Sequence, residues 1–329
     1  MKVWRSLAGV PAGICSVTTI GVFDGVHLGH QKILSTVVRH AQRRQIMSVA
    51  LTFDPHPRLV HNPEVDLELI TSLEDRLNQI ATLGVDATFV VPYTLELSRL
   101  SAHEFTQQYF VDALGAHEIV VGEDVRFGRD NEADVARLHR LGDEFGFDVV
   151  DIMDVESAGG RRWSSTWVRS LLRQGDVAGA AQILGRKHRV RGVVVHGHKR
   201  GRTLGIPTAN LVSEGVGVVP ADGVYVGWVV RDVPGTKAIE QLPAAISIGT
   251  NPQFGDCSRT VEAHVLGRSD LNLYGEQIAV DFVSRIRGMQ TFSSTEEFLQ
   301  RMDADLLEAA RVLGVPATGR VDPDSVIAC

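Results

Sequence analysis

The chain has 329 residues, 44% of them hydrophobic and 22% charged, with a net charge of −7. That length exceeds one ordinary domain and suits two, and the composition is that of a globular protein able to bury real cores. The acidic balance argues against coating nucleic acid or anionic lipid, no apolar run nears the roughly 18 residues a membrane span needs, and residues 1–20 lack a basic-then-apolar leader.

From the first residues onward, short β-branched runs alternate with helical patterns. Ser16–Ile20, Ser48–Phe53, Ala87–Val91, Glu118–Val121 and Phe147–Ile152 read as strands. Between the first two, Ile33, Leu34, Val37, Val38 and Ala41 recur at helical spacing and give one apolar face. Further helices are predicted over Leu73–Leu83, Ala102–Leu114 and Asp134–Phe145, and a short one over Ser170–Gln174. Strand and helix in alternation predict right-handed crossovers and a parallel sheet covered on both faces. Ligands of such sheets bind beyond the carboxyl ends of the strands, where Asp24–His30 and Asp54–Pro57 both fall.

After Leu184-Gly185-Arg186-Lys187 the pattern changes, and a boundary is placed near residue 186. Arg189–His196, Gly223–Val230, Ala244–Ile248, Thr260–Leu266 and Ile278–Val283 read as strands between Gly- and Pro-containing loops. One helix closes the region over Thr295–Leu313, with Phe298, Met302, Leu306 and Ala309 as its stripe. Many short strands and one closing helix predict a small antiparallel barrel. The last residues, 314–329, carry weak patterning and are expected to form a mobile tail.

Two constellations carry chemistry. In Gly21-Val22-Phe23-Asp24-Gly25-Val26-His27-Leu28-Gly29-His30 a strand turns through glycines into a helix, so two imidazoles three residues apart can face one anion at a positive helix end. Transfer of a nucleotidyl group needs such donors, because charge develops on the α-phosphate and the departing pyrophosphate. The pair alone is more commonly structural or part of a metal site. A second phosphate-holding element follows in Ser164-Ser165-Thr166-Trp167-Val168-Arg169, hydroxyls at a helix entry followed by arginine. Taken singly it is also what an ordinary helix cap with a surface arginine looks like.

The other constellation runs from Gly192 through Gly197, Gly201 and Gly205 to Thr208-Ala209-Asn210. It lacks the Walker order, yet glycine-bearing backbone can lie along phosphates while Thr208 and Asn210 offer oxygens to Mg²⁺. Its basic stretch, His198-Lys199-Arg200-Gly201-Arg202, reads on charge alone as a solvated loop. In Val261-Glu262-Ala263-His264-Val265, strand alternation puts Glu262 and His264 on one face, the one expected to be wet. A carboxylate there is commonly just solvated, but beside a Mg-ATP loop it is the group that orients a hydroxyl and takes its proton.

The first constellation resembles the HxGH and ISSTxxR signatures of the nucleotidyltransferase superfamily. Thr52-Phe53-Asp54-Pro55-His56-Pro57 and Val121-Gly122-Glu123-Asp124-Val125-Arg126-Phe127-Gly128 narrow the resemblance, over residues 16–175, to the FMN adenylyltransferase domain of bacterial FAD synthetases. It implies a Rossmann-like α/β domain in which His27 and His30 act at the ATP phosphates with Ser164, Ser165, Thr166 and Arg169. Gly21, Phe23, Asp24, Gly29 and Asp124 are implied on the nucleotide side, and Phe53, Pro55, His56 and Phe127 on the flavin side. Asp124 stands where many relatives carry asparagine, and Trp163 where an aliphatic residue is usual.

The second constellation, with Pro220-Ala221-Asp222-Gly223-Val224-Tyr225, Ser247-Ile248-Gly249-Thr250-Asn251-Pro252, Glu262 and Leu273-Tyr274-Gly275, resembles riboflavin kinase over roughly 188–313. The resemblance implies an antiparallel β-barrel in which Thr208 and Asn210 hold Mg-ATP, with Gly197, Gly201 and Gly205 along the phosphates. Glu262 is the implied base, and Tyr274 and Arg287 lie on the flavin side. Gln253, Asn272 and Gly288-Met289-Gln290-Thr291-Phe292 depart from the usual pattern.

In this order the two regions, 1–186 and 187–313, imply the bifunctional enzyme family that makes FMN from riboflavin and FAD from FMN with ATP and Mg²⁺. A nucleotidyltransferase with another acceptor, such as phosphopantetheine or nicotinate mononucleotide, leaves the barrel unexplained. A flavin-binding regulator with decayed sites leaves the charged residues of both sets unexplained. The three cysteines, Cys15, Cys257 and Cys329, have no disulfide or metal spacing and suit the cytoplasm, and a homo-oligomer stays open.

Overall fold

The computed structural model describes residues 1–153, 160, 162–196, 204–211, 217–233, 235, 236, 238–251 and 256–325. It divides into two compact units, Met1–Leu69 with Leu73–Ser165, and Ile70–Ser72 with Thr166–Cys329.

In the first unit the strands are β1 (Lys2–Trp4), β2 (Ser16–Ile20), β3 (Met47–Asp54), β4 (Ala87–Pro92), β5 (Ala116–Gly122) and β6 (Asp148–Ile152). They form one parallel sheet in the order β1-β4-β3-β2-β5-β6. Every residue of β2 is buried, as are the six central residues of β3, which is the signature of strands covered on both faces. The helices are α1 (Leu28–Arg44), α2 (Pro57–His61), α3 (Leu73–Thr82), α4 (Ala102–Phe105) and α5 (Val135–Phe145). Leu34, Val37 and Ala41 bury the apolar face of α1, and Arg43 and Arg44 end it against the negative pole of its dipole. Successive strands pair on one side of β2 as far as β4, and β5 lies on its other side. The crevice between β2 and β5 is therefore the topological switch point where such sheets take ligands.

Two elements differ from expectation. The edge strand β1 has only three residues, too few to leave a periodic pattern. The helix expected over Ala102–Leu114 is an α-turn with a Ser101/Glu104 capping box, continued as a π-helix over Thr106–Ala113. Tyr109 and Phe110 of that segment are buried, and Tyr109 stacks on Phe105 at 4.7 Å.

The second unit holds most of α6 (Ser165–Gln174), then α7 (Val177–Leu184), and a closed antiparallel barrel. Its strands are β7 (His188–Val195), β8 (Ala209–Leu211), β9 (Gly223–Asp232), β10 (Ile239–Asn251), β11 (Asp256–Val265) and β12 (Gln277–Arg287), ordered β10-β11-β8-β7-β12-β9. Closure leaves no edge strand to be capped. The final helix, α8 (Thr295–Leu313), buries Leu306, Ala309 and Ala310 against Val226 and Leu266. Helix α7, absent from the sequence reading, buries Val177, Ala180, Ile183 and Leu184 and packs on β12 and β7. The end of α6 is tied to the same unit, because Ala221 N–H donates to Leu172 O at 2.9 Å and Arg285 to Gln174 O at 3.2 Å. The compact units accordingly part at Ser165, ahead of residue 186.

The stretch expected as a loose tail is held as far as Ser325. Arg320 pairs with Asp303 of α8 at 2.8 Å, and Val321 N–H donates to Gly205 O at 2.9 Å. Neither contact leaves a signal in composition, since each is made by one residue with a distant partner.

His188, at the start of β7, is 1% exposed and bonds through Nε2 to Val218 O at 2.7 Å. Burial pushes its pKa down to about 4. The neutral ring therefore contributes stability that is complete above the unfolded value near 6.5 and is lost as pH falls toward 4. At about 1.4 kcal/mol per pKa unit, denaturant unfolding of the second unit should weaken by roughly 3 kcal/mol across that window. In His188→Asn the loss over the same window should shrink to what the remaining groups contribute.

Candidate active sites

The loop from β2 to α1 is strained and heavily tethered. Phe23 and Val26 adopt left-handed backbone, at φ 53° and 39°, which costs about 1–3 kcal/mol each outside glycine. A Cβ on Gly21 would lie 2.9 Å from the Phe23 ring, so only glycine lets that ring fold back. Val22 O accepts from Thr52 Oγ1 at 3.0 Å and from Arg76 Nη1 at 2.7 Å. Gln31 Nε2 donates to Val26 O at 2.9 Å, and Ser165 Oγ donates to Asp24 O at 2.8 Å. These bonds offset the strain and set the entry to α1.

His27 caps α1, its Nδ1 accepting the His30 N–H at 3.4 Å. The two imidazoles stack with centroids 3.7 Å apart and planes 21° from parallel. A Cβ on Gly29 would meet the His27 ring at 3.1 Å, so glycine there lets the ring lie on the backbone. Burial, then the neighbouring His27 and Arg162, hold the His30 pKa well below the usual histidine value. His30 is thus neutral at pH 7 and offers one N–H. Its Nδ1 has no hydrogen-bond partner among the described residues.

Two cavities meet at His30. One, of about 160 Å³, is bounded by His27, Gly29, His30, Asp124, Arg162 and Ser165, with Ser164 also on its wall. The other, of about 330 Å³, shares Gly122, Asp124 and His30 but is walled by the aromatic rings of Phe53, Tyr93, Phe105 and Phe127. Gly21 and Phe23 also line it. A polar, anion-ready chamber thus adjoins one suited to a flat ring system. Asp124, the departure from the asparagine usual in relatives, forms an ion pair with Arg162. The guanidinium thereby compensates the carboxylate's charge on the wall of the polar chamber.

Among the residues expected on the flavin side, Phe53 and Phe127 line the aromatic chamber, whereas Pro55 and His56 do not. Pro55 is exposed after a cis Asp54–Pro55 bond, and His56 caps α2 by accepting the Arg58 N–H at 3.0 Å. Thr166 and Arg169 lie on α6 in the second compact unit, Thr166 exposed and Arg169 buried. Sequence reasoning missed Arg76. It sits 2% exposed on α3, with Nη2 3.8 Å from Asp54 Oδ1. Burial lowers its pKa while Asp24 and Asp54 raise it. An arginine in a helix full of polar residues reads as solvated, and no periodic signal marks it as an anchor.

In the barrel, register makes Glu262 of β11 the Cα partner of Asn210 on β8 and of Ser247 on β10. Facing residues on antiparallel strands bring their Cβ atoms within about 5 Å, so the carboxylate and the amide share one surface. Thr208 and Tyr274 bound a small cavity of about 40 Å³ with Pro207, Ala209 and Leu273. Tyr274 stacks on His196 at 4.0 Å. Gly205 has φ 75°, and a Cβ there would meet Val321 O at 2.3 Å. Arg287 is engaged elsewhere: its guanidinium donates to Asp305 at 2.7 Å, and the pair, 11% and 6% exposed, ties β12 to α8. Asn272, in place of the usual aspartate, accepts the Tyr274 N–H at 3.3 Å, a bond aspartate makes equally well. Gly197, Gly201, Gln253 and the basic stretch His198–Arg202 lie outside the described residues.

The protein is thus built of an α/β unit with a polar chamber beside an aromatic one, and of a barrel unit with its own small cavity. The model of the FAD synthetase family matches residues 13–167, and that of the riboflavin kinase family matches 184–313. The Bacillus subtilis bifunctional riboflavin kinase/FMN adenylyltransferase is 33% identical over 90% of this chain and 92% of its own. The Escherichia coli K12 protein of the same name is 34% identical over 94% and 96%. A solved structure titled a macrolide-efflux protein from Streptococcus pneumoniae superposes with a TM-score of 0.82 and 30% identity, over 92% of this chain and 96% of that one. No described helix of the present chain is long and apolar enough to cross a membrane. The chain belongs to the bifunctional riboflavin kinase/FMN adenylyltransferase family.

Arg76→Met keeps most of the side-chain volume but removes the cation beside Asp24 and Asp54 and the bond to Val22 O. Breaking such a buried arrangement should cost about 3–5 kcal/mol, read as a lowered denaturation midpoint for the first unit. An unchanged midpoint would show that the guanidinium is not what secures the loop.

Proposed function

We propose that the two activities of the family divide between the two candidate sites. The chain is an enzyme of flavin-cofactor biosynthesis that phosphorylates riboflavin to FMN and adenylylates FMN to FAD. The observation that carries the division is that the riboflavin kinase match falls wholly, and the FAD synthetase match almost wholly, on one compact unit, and each unit has a candidate site. In functional terms, residues 1–186 form the adenylylating region and 187–313 the phosphorylating one, in the cytoplasm.

At the barrel, Glu262 orients a ribityl hydroxyl of riboflavin and takes its proton as the oxygen attacks the γ-phosphorus of ATP, giving FMN and ADP. Thr208 and Asn210 are hard oxygen donors of the kind Mg²⁺ accepts. No group of three or more His, Cys, Asp or Glu that could hold a metal occurs among the described residues, so the fit is to an ion that arrives with the nucleotide. Bound with ATP, Mg²⁺ neutralises phosphate charge. Tyr274 supplies an aromatic face beside Thr208.

At the α/β unit, the FMN phosphate attacks the α-phosphorus of a second ATP and pyrophosphate leaves. A phosphate monoester is already ionised near neutral pH, so this step needs positioning and charge stabilisation rather than a base. His27 and His30 present N–H groups to the phosphates at the positive end of α1, with Ser164, Ser165 and the Asp124-paired Arg162 on the same chamber wall. Phe53 and Phe127 enclose the flavin ring.

Two substitutions separate the halves. His30→Ala should slow adenylylation by roughly a hundredfold or more while kinase turnover barely changes, so that FMN accumulates from riboflavin. Normal FAD output would dismiss the role of His30. Glu262→Gln keeps size and hydrogen bonding but loses the base, and should reduce kinase turnover about a hundredfold to ten-thousandfold, with supplied FMN still converted to FAD. A kinase rate within a few-fold of wild type would sink the base assignment.

A further inference from the structure

The nucleotide segment of the barrel is held by a side chain where the backbone ladder can go no further. Strand β8 pairs with β11 at Leu211–Val261, Asn210–Glu262 and Ala209–Ala263, and there the ladder stops. Upstream of Thr208 comes Pro207, which has no N–H to donate. Its carbonyl still needs a donor. His264, one step beyond Ala263 on β11, supplies it through Nδ1 at 2.8 Å.

We propose that His264 is a positioning residue for phosphoryl transfer: its Nδ1–H holds the Pro207 carbonyl and so fixes the direction in which Thr208 presents its hydroxyl to the nucleotide. The inference rests on the kinase reading of the barrel. His264 shares a strand face with Glu262, yet it is 2% exposed, so the face expected to be wet is dry at this point. Its neighbour across β10 is Ala245, small enough to leave the ring room. A carbonyl can only accept, so the proton is on Nδ1 and Nε2 carries a lone pair, buried and without a hydrogen-bond partner among the described residues. Burial keeps the pKa below the ordinary histidine value, and the Pro207 carbonyl pulls it only partly back, so the ring is neutral at pH 7. On the other side of Thr208 the ladder at Ala209 takes over, and upstream Gly205 O accepts from Val321 N–H at 2.9 Å. The main chain of Thr208 is thus secured through both its neighbours, by an imidazole before it and by a strand pair after it.

The test uses the full-length protein and three variants. In His264→Asn an amide N–H replaces Nδ1–H, whereas His264→Gln places its amide near the Nε2 position and His264→Leu has no donor. Kinase kinetics with riboflavin and Mg-ATP should show kcat/KM for Mg-ATP falling roughly 10- to 100-fold in the Leu and Gln variants. The Asn variant should regain most of it. The KM for riboflavin should stay within about twofold, as for a group that acts only through the Thr208 segment, and adenylylation of supplied FMN should match wild type. Equal impairment of the Asn and Gln variants would reduce His264 to packing and overturn the proposal, as would wild-type kinetics in the Gln variant. The Asn and Gln pair decides the matter even if the Leu variant fails to fold. If the wild-type protein forms no FMN, the kinase reading itself fails.

Discussion

Where a strand ladder stops, the next backbone carbonyls still need donors, and both candidate sites are organised by that requirement. A buried carbonyl without a partner costs about as much as a lost hydrogen bond. Beyond β2 the carbonyl of Val22 is met by Thr52 and Arg76, and beyond β8 that of Pro207 is met by His264. In each case a side chain from a neighbouring element takes the place of a strand partner. Thr208 follows Pro207 directly, and His27 ends the short loop that begins at Val22.

Electrostatics separates the two sites as clearly as fold does. The α/β site is built from uncharged or compensated groups: stacked imidazoles with His30 held neutral, a capped helix start, and an aspartate paired with an arginine. Such a surface receives an anion without a permanent excess of cation, which suits a protein of net charge −7. The barrel site instead places a carboxylate opposite an amide on adjacent strands. In the division proposed above, attack by a neutral hydroxyl needs a proton acceptor and attack by an ionised phosphate does not, which accords with a carboxylate at one candidate site and helix-borne donors at the other.

The buried ion pairs show how similar residues serve different ends. Arg287 is tied to Asp305 between β12 and α8, so a residue that motif order assigns to the flavin side holds the closing helix. Arg76 occupies a helix position that looks solvated and instead anchors the loop that carries His27. Glu118, 3% exposed at the opposite end of the parallel sheet, is paired with His40 and Arg44 of α1, a purely structural use of the same groups.

Periodicity was enough to read the parallel sheet, the barrel and α8, because those features repeat along the chain. The apolar stripe of α1 and its start at His27 follow the reading, whereas the wet face read for β11 is dry at His264. Elements too short to repeat were not legible: β1 with three residues, α7 with eight between its Asp176 cap and Gly185 stop, and the contacts of Arg320 and Val321. Motifs could name Asp124, Arg287 and Pro55 but not their partners, since an ion pair or a cavity wall depends on residues distant in sequence. The sequence by itself determined which groups can do chemistry and on which elements they lie. Only tertiary structure decided that Phe53 and Phe127 share a chamber, that His264 is dry, and that Arg76 is buried. Burial and partnership depend on what packs from elsewhere in the chain, and no local pattern carries that.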